Sequence, residues 1–178
     1  MAGQRLTDKS ALDENLASDD ILMCVDTSDT TGSADGTSKK VGSKYIIQTD
    51  TVSLSSAEVN ALSSTPATLV AAPGSGFFAQ PITITCICTF VSSGNTTGGY
   101  LYISNEAPQI ANYLVRQRDF YKNESADRTF IFGASNTAGA DGTYDGTIDN
   151  LPLYLYTDAA YTGNWTMKVY TTYQIVKI

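Results

Sequence analysis

The chain has 178 residues, enough for one domain with a sizeable core and an appendage. Its charged content of 16% and its wealth of Thr, Ser, Gly, Ala and Tyr exclude a helical bundle and point to a β-rich, turn-rich protein. Eleven basic against eighteen acidic side chains give a net charge of −7, which leaves no basic face for nucleic acid.

No apolar run is long enough to span a bilayer, so no membrane insertion is expected. The opening MAGQRLTDKS lacks an apolar signal core, so folding in a cytoplasm with reduced thiols is expected. Residues 1–50 read as an arm. Ser10 to Ala17 suits a short helix and Ile21 to Val25 a strand. DTSDTTGSADGTSKK is a polar loop with little reason to order by itself, and Val41 to Ile47 is a second strand. Two strands around a loop make a hairpin, which is marginal in water unless it packs on something else. Its apolar residues Ile21, Leu22, Val25, Val41, Tyr45 and Ile46 are the anchor candidates.

The segment Leu54 to Gly76 marks the entry to a body spanning 51–178. Ser55 and Glu58 have capping-box spacing, predicting a helical turn over Ser56 to Leu62. Pro66 forces extension, Ala67 to Ala71 reads as a strand, and Pro73 to Gly76 as a turn. In Pro81 to Val91, period-two alternation puts Ile82, Ile84, Cys86, Cys88 and Phe90 on one face and Thr83, Thr85, Ile87 and Thr89 on the other. Cys86 and Cys88 lie on one side of that strand at roughly 7 Å, too far for an easy disulfide, so they read as core thiols.

Further strands are expected at Tyr100 to Ser104, Asn112 to Gln117, Thr129 to Phe132 and Leu153 to Tyr156. The C-terminal strand is the clearest, with Trp165, Met167, Val169, Thr171, Tyr173 and Ile175 alternating against Thr166, Lys168, Tyr170, Thr172 and Gln174. With no convincing long helix between them, the fold class is mainly β. An antiparallel β-sandwich, jelly-roll-like, follows a small N-terminal hairpin arm, with an immunoglobulin-like sandwich as the alternative.

The chain has no histidine, which removes the usual Ser-His-Asp and Cys-His systems and His-ligated zinc. Only four of the acids are Glu and none sits in a glycosidase-like motif, so neither catalytic residues nor a cofactor is expected. In ADGTYDGTIDN, Asp141, Asp145 and Asp149 recur every four residues and form a calcium candidate. Asp-Gly pairs are also routine turn signals, and turns are the preferred reading. Tyr100, Tyr102, Tyr154, Tyr156 and Tyr170 fall on strand faces opposite the expected core. They are interface candidates, either for a neighbouring subunit or for a sugar.

LSSAEVNALSSTPATLVAAPGSGFFAQPITIT resembles the entry to a β-sandwich module in structural proteins of tailed bacteriophages, which commonly end in a strand like NWTMKVYTTYQIVKI. LASDDILMCVDTSD with TSKKVGSKYII is similar to N-terminal segments of phage fibre and appendage proteins. The first likeness covers about 52–90 and 165–178, and departs from the pattern at Phe77-Phe78, where a basic residue commonly follows the glycine turn. The resemblance implies a non-enzymatic virion protein, made in the host cytoplasm and usually trimeric, with an N-terminal anchor. Its implied partners are its own copies, other capsid or tail proteins and a host-surface glycan.

Overall fold

Alternating side chains shape most of this chain, which the computed structural model describes over residues 21–42, 46–107, 113–133 and 148–178. The chain divides into two units, Met1–Gln48 and Thr49–Ile178.

In the first unit, β1 (Ile21–Asp26) pairs antiparallel with β2 (Thr37–Gly42), with Leu22 opposite Val41 and Asp26 opposite Thr37. The second strand therefore starts four residues before the expected Val41. Val41 lies one residue before the end of β2 and is half-buried, while Ile46 lies in a bend outside any strand. Tyr45, the side chain of Ile21 and the expected helix at Ser10 to Ala17 lie outside the described residues.

The register moves because the intervening loop is ordered by its own side chains. Asp26 Oδ1 accepts from the Ser28 amide and hydroxyl, at 3.0 and 2.6 Å. Asp29 Oδ1 accepts likewise from Thr31, at 3.0 and 2.6 Å, and Asp29 Oδ2 is ion-paired with Lys39. These Asx turns replace the backbone pairing the loop lacks. Gly36, at φ +117°, completes the return, because a Cβ there would stand 2.7 Å from the Asp26 carbonyl oxygen.

The Lys39 ammonium first, then the Thr31 donors, lower the Asp29 pKa from 3.8 to about 2. The Ser28 hydroxyl lowers that of Asp26. A depressed carboxylate stabilises the loop above its unfolded pKa and ceases to do so as pH falls through its folded one. Asp29 is thus expected to titrate near pH 2, with the Thr31 amide resonance shifting in step. A midpoint near 4 in an NMR pH series would contradict the ordered loop.

The second unit contains β3 (Gln48–Leu54), which begins at the unit boundary, α1 (Ser56–Asn60), β4 (Ala67–Val70), β5 (Phe77–Ser93), β6 (Tyr100–Ser104), β7 (Val115–Arg118), β8 (Arg128–Gly133), β9 (Leu153–Thr157) and β10 (Asn164–Lys177). They form two four-stranded sheets, ordered β3-β10-β5-β8 and β4-β9-β6-β7. The chain crosses between the sheets at every step except the β6-β7 hairpin, and the last strand returns beside the first, which is the course of an eight-stranded jelly roll. The fold is a mainly β, antiparallel sandwich, and its strand order is not immunoglobulin-like.

α1 starts as its sequence dictates. The Glu58 amide donates to Ser55 Oγ, and the Ser55 amide donates to Glu58 Oε2 at 2.8 Å, closing the capping box. Val59 and Leu62 are buried beneath it. The alternation of β10 holds throughout, with Trp165, Met167, Val169, Thr171, Tyr173 and Ile175 all buried. They face Leu101, Ile103, Leu153 and Leu155 of the other sheet in one core.

β5 departs from its expected faces at one point. Thr172 pairs with Thr83 but Tyr173 pairs with Pro81, so Ile82 is bulged out and left exposed. Pro81 has no amide proton to offer the ladder, which is where a bulge is least costly. Cys86 and Cys88, beyond the bulge, are fully buried in the core, and burial pushes the Cys86 thiol up to about 12 and that of Cys88 higher still.

Candidate functional site

Three features of the described residues offer recognition chemistry: a braced set of loops at one end of the sandwich, and the two outer sheet faces. The loops between β5 and β6, β7 and β8, and β9 and β10 converge on Asn95, which is fully buried. Its Oδ1 accepts from the amides of Thr97 at 3.0 Å and Thr162 at 3.2 Å, and its Nδ2 donates to the Phe120 carbonyl at 3.3 Å. Its own carbonyl accepts from the Asn123 amide at 2.8 Å. The loop from β3 to β4 joins the same end, where Asn60 Nδ2 donates to the Gly163 carbonyl at 3.1 Å. Gly163 sits at φ +99°, and a Cβ there would meet the Gly94 oxygen at 2.4 Å, so these backbones touch directly. This end is rigid by construction.

The outer face of the β4-β9-β6-β7 sheet carries an aromatic cluster. Tyr102 stands between Arg116 and Tyr156 on neighbouring strands, stacked on the Tyr156 ring at 5.2 Å. Tyr100 and Tyr113 flank it at 5.9 and 5.7 Å, and the Arg116 guanidinium lies 3.8 Å from the Tyr100 ring centre. Asp158 accepts from the Tyr100 amide at 2.7 Å and from the Tyr102 hydroxyl at 3.4 Å. Burial, then the Asp158 charge, raises the Tyr102 pKa.

The five tyrosines expected at an interface are therefore not one solvent-facing surface. Tyr102 and Tyr156 are 3% and 1% exposed, covered by Tyr100, Tyr113 and Arg116 in the case of Tyr102. Tyr100 and Tyr154 are half-buried on the same sheet. Tyr170 belongs to the other sheet, with the Lys168 ammonium 5.1 Å from its ring centre. Alternation places a side chain on a face but does not say whether its neighbours cover it. Tyr113 and Arg116, which do the covering, carried no signal beyond a short candidate strand.

The outer face of the β3-β10-β5-β8 sheet is different. Thr83, Thr85, Ile87 and Thr89 point outward from β5, and Thr166, Lys168, Tyr170 and Thr172 from β10, as their alternation requires. Thr85 lies between Tyr170 and Ile131, and Ile87 between Lys168 and Thr129. Toward one end the face sinks into a depression of about 500 Å³ whose lining includes Ser53, Thr89, Thr166 and Lys168, with the Glu58 carboxylate at its margin.

Of the calcium candidates, Asp141 and Asp145 lie outside the described residues. Asp149 Oδ1 accepts the Gly76 amide at 2.6 Å and Asn150 Oδ1 the Gly74 amide at 2.8 Å, so this pair clamps the Pro73 to Gly76 turn. Among the anchor candidates of the first unit, Leu22 and Val25 are 39% and 59% exposed.

No protein-family model matches the sequence, and no curated protein matches it. Among solved structures, a chain of the crystal structure of Israel acute paralysis virus is similar in course, with a TM-score of 0.34 and 10% identity over 95% of this chain and 96% of that one. A likeness of that size carries no conclusion about function.

Proposed function

We propose that this chain is a non-enzymatic structural protein of a tailed-phage virion, a head fibre or capsid decoration protein. Its arm, about residues 1–50, docks on the particle, and its jelly-roll body projects as a homo-oligomer, a trimer by the family resemblance. A tail-fibre or receptor-binding tip uses the same plan.

The observation that carries this reading is the contrast between the two units. The body has a continuous core of its own. The β1-β2 hairpin has none. No side chain described in that unit is buried, and Leu22, Met23 and Val25 stand exposed. A hairpin with an ordered loop and unpartnered apolar side chains is a docking element, since two strands alone are marginal in water. Jelly rolls serve capsids and lectins alike, so it is the arm, not the fold, that supports the capsid reading over the lectin one.

A second reading, a carbohydrate-binding sandwich, draws on Tyr100 and Tyr113 around Arg116, which offer ring faces and a guanidinium to a sugar.

The test is incorporation. The full chain with Leu22→Asp and Val25→Asp together should keep the melting temperature of the body and be lost from purified particles. Normal incorporation of that variant would contradict the anchor, and glycan-array binding by a chain found on no particle would favour the second reading.

A further inference from the structure

We infer that the outer face of the β3-β10-β5-β8 sheet is the surface through which copies of this chain pack on one another. The inference deepens the oligomeric body proposed above and rests on it.

Charge is the first reason. Among the outward side chains of these four strands, Lys168 is the one charged group and no carboxylate occurs, in a chain of eighteen acids and net charge −7. Loss of charge is the compositional mark of an interface centre. It also suits a second copy of this chain. Two copies can join through the strand residues of this face without opposing carboxylates. A basic partner would meet the Lys168 ammonium on these strands, while Glu58 lies off them in the depression at one end. The single Lys168 ammonium rests over Tyr170, which offsets part of its cost on burial.

Apolar exposure is the second. Ile82, Ile87, Val91 and Ile131 are 40%, 36%, 54% and 70% exposed. The first three lie along β5, where bulging turns Ile82 outward. Ile131 is on β8, an edge strand of the sheet. Apolar side chains gathered on a sheet face beside an unpaired edge are a liability in a free monomer and an asset once covered.

Size is the third. Strands about 4.8 Å apart with about 3.4 Å per residue give each residue roughly 16 Å² of face, so the four strands offer roughly 700 Å². A standard interface takes about 800 Å² from each partner. The opposite sheet lacks this character, because its central tyrosines are already covered by their own neighbours.

The test compares masses by light scattering across a concentration series of the full chain. The wild-type chain is expected to be oligomeric. Ile87→Asp and Ile131→Asp, both at exposed positions, should each weaken association at least tenfold while leaving the near-ultraviolet circular dichroism unchanged. Thr68→Asp, exposed on the other sheet, should leave the mass as it was. A monomeric wild type, or Asp variants that keep the wild-type mass, would overturn the inference. So would dissociation by Thr68→Asp alone. Particle incorporation separates this failure from that of the structural role: a monomer still found on particles removes only the face, and an oligomer held by this face but absent from particles removes only the role.

Discussion

Replacing Trp165 with alanine is expected to lower the unfolding free energy of the body by about 3–5 kcal/mol. The indole is fully buried and is the hub of an aromatic cluster, with the Tyr121 ring at 4.4 Å and those of Tyr161 and Phe120 at 6.2 and 6.3 Å. Its Nε1 donates to the Thr162 carbonyl at 3.0 Å, so truncation opens a cavity and also removes a bond to the loop before β10. For a domain whose total stability is about 5–15 kcal/mol, that loss leaves the fold marginal. Chemical denaturation of the full chain reads it directly, and a loss below about 1 kcal/mol would mean that the loop aromatics Phe120, Tyr121 and Tyr161 do not pack around this ring.

Asn95→Ala is the second large effect, expected at about 2–4 kcal/mol, and its cause is polar rather than apolar. The change strands the amides of Thr97 and Thr162 and the carbonyl of Phe120. Each buried group left without a partner costs about 1–3 kcal/mol. The upper end of a simple sum does not apply, because the two amides are only partly buried and water can reach them. Hydrogen exchange gives the specific readout, with protection lost first at Thr97 and Thr162 and retained along β10. Uniform loss across the body would instead indicate that Asn95 supports the core as a whole.

The elements the sequence shows best are those whose information is local. β10 alternates without interruption, so every inward residue is placed correctly from the string alone. The Ser55 and Glu58 pair forms its capping box within four residues. The Thr and Ile face of β5 is legible for the same reason, and it is the face proposed for self-association.

What could not be read depends on contacts distant in the chain. Ile82 looks inward until a bulge at Pro81, set by pairing with β10, turns it out. β3 straddles the expected boundary at residue 50 and carries no strand signal of its own, because QTDTVSL offers only Val52 and Leu54 as apolar residues, and its Asp50 is partnered by Tyr173, 123 residues away. Asn95 sits in SSGNTTGG, which has the composition of any turn, and only the convergence of three loops makes it a core residue. A strand pattern records the direction of Tyr102 but not its cover, which comes from Tyr113 and Arg116 beside it, with Tyr156 stacked against it.

The division of labour between a docking arm and a self-sufficient body is the central claim, and a density map of intact particles carrying this chain tests it most directly. The account predicts the β1-β2 hairpin seated against a particle protein, with Leu22 and Val25 covered and the jelly-roll bodies standing outward. Particles whose density holds the body at their surface while the hairpin points away into solvent would contradict it.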